Sequence, residues 1–185
     1  MRREELGAEL LDHAYLEGDF VLRSGRRSSY YLDKYRFETQ PDVLAALGEH
    51  LAAEVSEHEP DAARLAGPEL GAVALAAAAS LSSGIPFVIV RSAAKEYGTA
   101  NRLEGCFEPG ERICLIEDVV TTGGALLNAI EAVREAGLEC RIAVCVLDRE
   151  EGGVDALARR GVRLVPLFRA GDLLPAQKTA AKPHG

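Results

Sequence analysis

Residues 115–125 read Leu-Ile-Glu-Asp-Val-Val-Thr-Thr-Gly-Gly-Ala. An apolar run from Ile113 to Ile116 meets two consecutive acids, Glu117 and Asp118, followed by two valines, two threonines and two glycines. Beyond them Leu126, Ile130 and Val133 recur at helical spacing up to Gly137, a residue suited to ending a helix. The expectation is a strand over 112–117, a turn, and a helix over 123–136. A helix start leaves backbone N–H groups unpaired and carries the positive end of the helix dipole, so it favours a phosphate. Gly123 and Gly124 permit close backbone approach, and Thr121 and Thr122 add hydroxyl donors. Acids facing that phosphate would repel it. Glu117 and Asp118 instead suit neutral hydroxyls, such as those of a ribose, and a positive charge developing on the sugar.

The same alternation extends outward. Strands are expected at 63–66, 86–91, 141–147 and 162–168, with helices at 69–82 and 154–160 between them. Strands that are apolar throughout and separated by helices imply an α/β fold with a parallel sheet covered on both faces, its ligands beyond the carboxyl ends of the strands. Toward the N-terminus, Leu6, Leu10, Leu11 and Ala14 mark a helix over 3–16. Short strands at 20–23 and 29–33 flank the turn Ser24-Gly25-Arg26-Arg27, and Pro41 opens a helix to about His58. Residues 1–174 read as one domain. The polar, aperiodic residues 175–185 read as a disordered tail.

A hydrophobic share of 48% and a charged share of 27% are those of a soluble globular protein, and no apolar run approaches a bilayer span. Residues 2–5, Arg-Arg-Glu-Glu, lead into no secretory core, so a cytoplasmic location is expected. The net charge of −8 argues against a general nucleic-acid binder. Local basic clusters at 20–36 (Arg23, Arg26, Arg27, Lys34, Arg36) and 91–102 (Arg91, Lys95, Arg102) suit a small anion, although solvated basic turns would look the same. Cys106, Cys114, Cys140 and Cys145 form no CxxC pair and the four histidines are scattered, which predicts buried, reduced thiols and no metal cluster.

Hydrophobic strand, two acids, two residues, then Thr-Thr-Gly-Gly resembles the phosphoribosyl-pyrophosphate signature of the type I phosphoribosyltransferases. Three further stretches resemble the orotate phosphoribosyltransferases within that family. Residues 20–33 (Phe-Val-Leu-Arg-Ser-Gly-Arg-Arg-Ser-Ser-Tyr-Tyr-Leu-Asp) resemble their N-terminal hairpin, and residues 91–99 (Arg-Ser-Ala-Ala-Lys-Glu-Tyr-Gly-Thr) with 103–105 (Leu-Glu-Gly) their catalytic loop. Residues 147–153 (Leu-Asp-Arg-Glu-Glu-Gly-Gly) resemble the strand end bearing their orotate-binding arginine. The four matches run in the family's order from about residue 20 to 153.

The resemblance implies a type I fold with an N-terminal hood within residues 1–40, and transfer of the phosphoribosyl group to orotate, a step of pyrimidine synthesis. It implies donor binding by Arg23, Arg91, Lys95, Tyr97, Glu117, Asp118, Val119, Val120, Thr121, Thr122, Gly123, Gly124 and Ala125. Lys95, Asp118 and Glu117 would be the catalytic residues, and Tyr31, Leu32, Thr121 and Arg149 would meet orotate. Read from the residues alone, Arg149 suits a carboxylate but equally a salt bridge with Asp148 or Glu150, and Tyr31 and Leu32 suit the core as well as a ring stack. Mg²⁺ would be held mainly by substrate and water rather than by the chain. Loop 92–102 would be shared across a homodimer, with no nucleic-acid or membrane partner.

The chain departs from the family pattern at Ser92, where lysine is usual, at Tyr97, where many members carry histidine, and at Arg23, which replaces a lysine. Glu69 and Leu70 stand where some members have a Tyr-Lys pair. Two rival functions follow: transfer to another nucleobase, and a non-catalytic sensor of the donor.

Overall fold

The computed structural model describes residues 1–21, 27–93 and 102–173. The expected tail at 175–185 lies outside the described residues, as does the turn 24–26. The elements in chain order are α1 (Arg3–Ala14), β1 (Tyr15–Val21), β2 (Arg27–Leu32), α2 (Lys34–Glu38), α3 (Pro41–His58), β3 (Arg64–Pro68), α4 (Gly71–Ser83) and β4 (Phe87–Val90). They continue with β5 (Leu103–Glu104), β6 (Arg112–Val120), α5 (Gly124–Glu135), β7 (Glu139–Asp148), α6 (Gly153–Ala158), β8 (Arg163–Arg169) and α7 (Ala170–Leu173).

The central sheet has the order β5-β4-β3-β6-β7-β8. All its pairings are parallel except β4 with β5. The chain winds from β3 outward to β4, then returns to place β6 on the other side of β3. The boundary between β3 and β6 is thus the topological switch point, where adjacent loops diverge and leave a crevice. One apolar layer packs α1, α3 and α4 against the sheet, with Leu6, Leu47, Leu51, Leu75 and Val144 fully buried in it. The opposite layer packs α5 and α6 through Leu126, Ile130, Val133 and Leu157. Each of these large side chains stabilises the fold by about 1.5–3 kcal/mol on burial.

Most expected elements form, and the differences have local causes. β6 runs on through Glu117, Asp118 and Val119 to Val120, because its ladder to β7 continues as Val119 beside Leu147 and Val120 beside Asp148. The two acids therefore lie within the strand rather than in the turn after it. The first helix ends at Ala14, and β1 begins at Tyr15, earlier than residue 20, because Tyr15, Leu16 and Glu17 pair with Leu32, Tyr31 and Tyr30. The short α2 and the two-residue β5 carry too few residues to show a period. Gly137, at φ 84°, ends α5 as expected. Cys114, Cys140 and Cys145 are buried, with burial pushing Cys140 up to about 12, whereas Cys106 is exposed, against the expectation.

Candidate active site

The turn after β6 is an open cradle. Gly123 sits at φ 83°, a left-handed conformation that disfavours any side chain, and a Cβ there would lie 2.8 Å from Leu157 Cδ1. Gly123 caps α5, whose first internal bond runs from Leu127 N–H to the Gly123 carbonyl at 2.9 Å. The N–H groups ahead of Leu127 have no helical acceptor. Thr121, Thr122, Gly124 and Ala125 are all exposed around them. Val120 is buried in the α5 layer, whereas Val119, on the opposite face of β6, is half-buried beside α1. The Val120 carbonyl accepts the Arg149 N–H at 2.8 Å.

Glu117 and Asp118 are buried, at 5% and 1% exposure, and they are not alone. Lys34 at the start of α2 donates to Asp118 Oδ2 at 2.5 Å, and Glu38 at its end is 4% exposed within the same cluster. The other Asp118 oxygen, Oδ1, accepts the Val119 N–H at 2.5 Å. Burial, then the neighbouring Asp118, pushes Glu117 up to about 8 and Glu38 up to about 7. Burial alone would lower the Lys34 ammonium, but Asp118, then Glu117 and Glu38, outweigh it and hold its pKa above the ordinary value. Near neutral pH a charged Lys34 ammonium thus sits against Asp118, flanked by two carboxyls that readily hold protons. Glu117 Oε2 and Glu38 Oε1 are buried without hydrogen-bond partners. Such atoms suit an incoming hydroxyl.

Across the switch point lies the turn after β3, residues 68–71. Gly71 leaves room for Asp118: a Cβ there would stand 2.0 Å from Asp118 Oδ2 and 3.1 Å from Lys34 Nζ. Glu69 accepts from the Ser92 backbone N–H at 2.9 Å and from its hydroxyl at 2.7 Å. These bonds, with Arg91 nearby, hold the Glu69 carboxyl below its usual range. Leu70 is 74% exposed. Arg91 follows β4, its Nη1 3.7 Å from Glu104 Oε1. Arg102 reaches back to the Arg91 carbonyl at 3.3 Å, pinning the two ends of loop 92–102 together.

The other wall is the hairpin. Tyr30 is buried and stacks on Tyr15 with centroids 5.5 Å apart. Its hydroxyl accepts from Arg149 Nη2 at 3.0 Å, and the Arg149 guanidinium lies 5.4 Å from the ring centroid. Arg149 also approaches Glu151 at 3.5 Å. The carboxylates of Asp148 and Glu150 instead accept backbone N–H groups of Glu150 and Gly171, at 2.9 and 2.8 Å. Alternation along β2 separates the two residues expected at the base. Tyr31 faces out at 44% exposure beside Phe20, while Leu32 packs inward against the α1 layer.

The structure thus gathers Arg91, Glu117, Asp118, the 121–125 cradle and Arg149 at one end of the sheet. Arg23, Lys95 and Tyr97 lie outside the described residues. Lys34, Glu38 and Tyr30 were missed as site residues. Lys34 had shown only as one member of a basic cluster, and Tyr30 as half of a Tyr-Tyr pair whose buried member strand alternation alone does not identify. A separate hollow of about 450 Å³ opens between the C-terminal ends of α3 and α4. It lies at the amino ends of the strands, and its described lining offers Glu49 and Glu59 but no cation, which does not suit an anionic substrate.

Comparison with known proteins agrees with this geometry. The family model of the phosphoribosyl transferase domain matches residues 37–164. Orotate phosphoribosyltransferase of Methanopyrus kandleri is 49% identical over 94% of this chain and 92% of its own length. That of Methanocella arvoryzae is 48% identical over 85% and 88%. A crystal structure of Mycobacterium tuberculosis orotate phosphoribosyltransferase in complex with 5-phospho-α-D-ribosyl 1-diphosphate superposes with a TM-score of 0.78 at 29% identity, covering 92% of this chain and 98% of that one. A cradle on the β6–α5 turn, acids beside it and relatives of near-equal length place this chain in the phosphoribosyltransferase family, among its orotate phosphoribosyltransferases.

Proposed function

We propose that this crevice binds phosphoribosyl pyrophosphate and orotate and joins them into orotidine 5′-monophosphate, releasing pyrophosphate. The observation that carries the reading is the juxtaposition at the switch point of an open helix start, the buried Asp118 and the strand-end Arg149. The donor's 5′-phosphate would sit on the N–H groups and hydroxyls of residues 121–125. Asp118 and Glu117 would take the ribose hydroxyls, and Arg149, held by the Tyr30 hydroxyl, would meet the orotate carboxylate with its two-pronged donor set. Thr121, exposed at the start of the cradle, would meet both substrates.

The carbon–oxygen bond to pyrophosphate breaks as the orotate nitrogen bonds to the anomeric carbon and gives up its proton to solvent or the departing pyrophosphate, and positive charge builds on the ribose on the way. The Asp118 carboxylate beside the sugar stabilises that charge. Glu117 enters as a carboxylic acid near neutral pH, so its first service is to donate a hydrogen bond. Arg91 and Lys95 would stabilise departing pyrophosphate, with loop 92–102 closing over the site and reaching a partner subunit in a homodimer. Tyr97, Arg23 and Tyr31 complete the proposed contacts; Leu32, its side chain packed against the α1 layer, would contribute only its backbone.

Mg²⁺ fits this site through the donor. Asp118 faces an ammonium, and the described acidic grouping compact enough to share an ion is Glu54, Glu57 and His58 on α3, remote from the crevice. A magnesium ion would therefore draw most of its oxygens from donor and water, and it supplies charge neutralisation to the pyrophosphate. Among the described residues no helix is long and apolar enough to cross a membrane. The metabolic character of the relatives supports placing the enzyme in the cytoplasm.

The test is spectrophotometric. With donor and Mg²⁺ the protein should consume orotate, and adenine or uracil should not substitute for it. Consumption of another base in place of orotate would reassign the acceptor; donor binding without turnover of any base would make the protein a sensor.

A further inference from the structure

If the 5′-phosphate occupies the 121–125 cradle and Asp118 the ribose hydroxyls, the diphosphate of the donor points across the switch point toward residues 68–71. That turn contributes an acid, Glu69, already bound to Ser92, and an exposed apolar residue, Leu70. With Glu69 in front and Asp118 behind, and no cation of its own, this wall would repel a polyanion. Lys34 is placed to reverse that. Its ammonium lies 2.5 Å from Asp118 Oδ2 and over Gly71, where even a Cβ would come within 3.1 Å of it. Its side chain keeps 32% of its exposure, against 2% for Asp118, so it borders the crevice rather than the core. An ammonium has three donors, and the bond to Asp118 uses one. Burial works against its charge, but Asp118 above all outweighs it and holds the ammonium above its ordinary value, so it is charged near neutral pH.

We propose that Lys34 is a pyrophosphate-binding residue: its ammonium bridges Asp118 and the diphosphate and supplies the positive charge that the 68–71 turn lacks. The flexible stem of lysine suits a group that touches Asp118 in the free protein and turns toward the diphosphate when the donor arrives. The assignment rests on the proposed donor orientation. It brings in the first residue of α2, an element with no direct part in the cradle.

The rival role for Lys34 is to order Asp118 alone, and product inhibition separates the two. Pyrophosphate probes the diphosphate wall, whereas orotidine 5′-monophosphate probes the ribose and its carboxylates. In Lys34→Met the inhibition constant for pyrophosphate and the KM for donor should rise about tenfold or more, the usual size for a lost charged hydrogen bond. The inhibition constant for orotidine 5′-monophosphate should move less than about threefold. Lys34→Arg should keep part of the pyrophosphate affinity, and Leu70→Lys added to Lys34→Met should restore part of it. Should the methionine variant not fold, Lys34→Gln, which keeps a donor but no charge, is read in the same way. An unchanged pyrophosphate constant overturns the assignment, as does an equal loss for both products. Absence of wild-type turnover would strike the proposed function instead.

Discussion

Two turns meet at the switch point, residues 121–124 after β6 and residues 68–71 after β3, and they acquire their chemistry in opposite ways. The first is self-contained: its hydroxyls and glycines follow closely on the two acids of β6, and its shape follows from one left-handed glycine and a helix start. The second is assembled from afar. Gly71 is there to admit Asp118, Glu69 is occupied by Ser92, and the cation over it comes from Lys34. A consecutive motif declares itself in sequence, whereas a composite wall appears only once the elements are folded together.

The largest expected effect breaks the second turn. Gly71→Ala places a methyl 2.0 Å from Asp118 Oδ2, so α4 or the carboxylate must shift. Urea unfolding should show a loss of about 1–3 kcal/mol, together with reduced turnover. In an Asp118→Ala background the same substitution should cost less than half as much, because the clashing oxygen is gone. Equal costs in the two backgrounds would show that the turn is not shaped by Asp118.

An effect of similar or somewhat smaller size concerns the carboxyl cluster. Glu38 has a folded-state pKa of about 7 and Glu117 of about 8, both above the ordinary 4.5. The folded state therefore holds protons that the unfolded chain releases, and this contribution is fully present below pH 4.5 and is lost as pH rises through 7 and 8. Glu38→Gln should flatten the fall in stability between pH 5 and pH 8 by about 1–2 kcal/mol. Parallel pH profiles for wild type and variant would remove Glu38 from the cluster.

The smallest effect is at Ser92. Ser92→Ala removes the hydroxyl bond to Glu69 but leaves the backbone N–H bond, so thermal unfolding should shift by no more than about 0.5 kcal/mol. A much larger loss would mean that the two turn-flanking loops depend on that hydroxyl.

The parallel sheet and its helices were legible because apolar strands and the period of α5 are local signals, and Gly137 marked the helix end correctly. The cradle was legible for the same reason. The full length of β6 was not, since a sequence-based expectation ends a strand where charges begin, whereas Glu117 and Asp118 stay in register through their pairing with β7. Nor was the role of Lys34, which lies 84 residues from Asp118. Tyr31 and Leu32 read as neighbours in sequence, yet alternation sends their side chains to opposite faces of β2. Arg149 was legible only through family resemblance; its hold by Tyr30, rather than by Asp148 or Glu150, is a tertiary fact.

The central claim is that the crevice carries two separate recognition sites, a cradle for the donor and Arg149 for the acceptor. The most direct measurement is steady-state kinetics of Arg149→Ala with each substrate varied in turn. Loss of a charged, bidentate contact should raise the KM for orotate at least about thirtyfold and leave the KM for donor within about threefold. An unchanged orotate KM, or an equal rise for both substrates, would contradict the account.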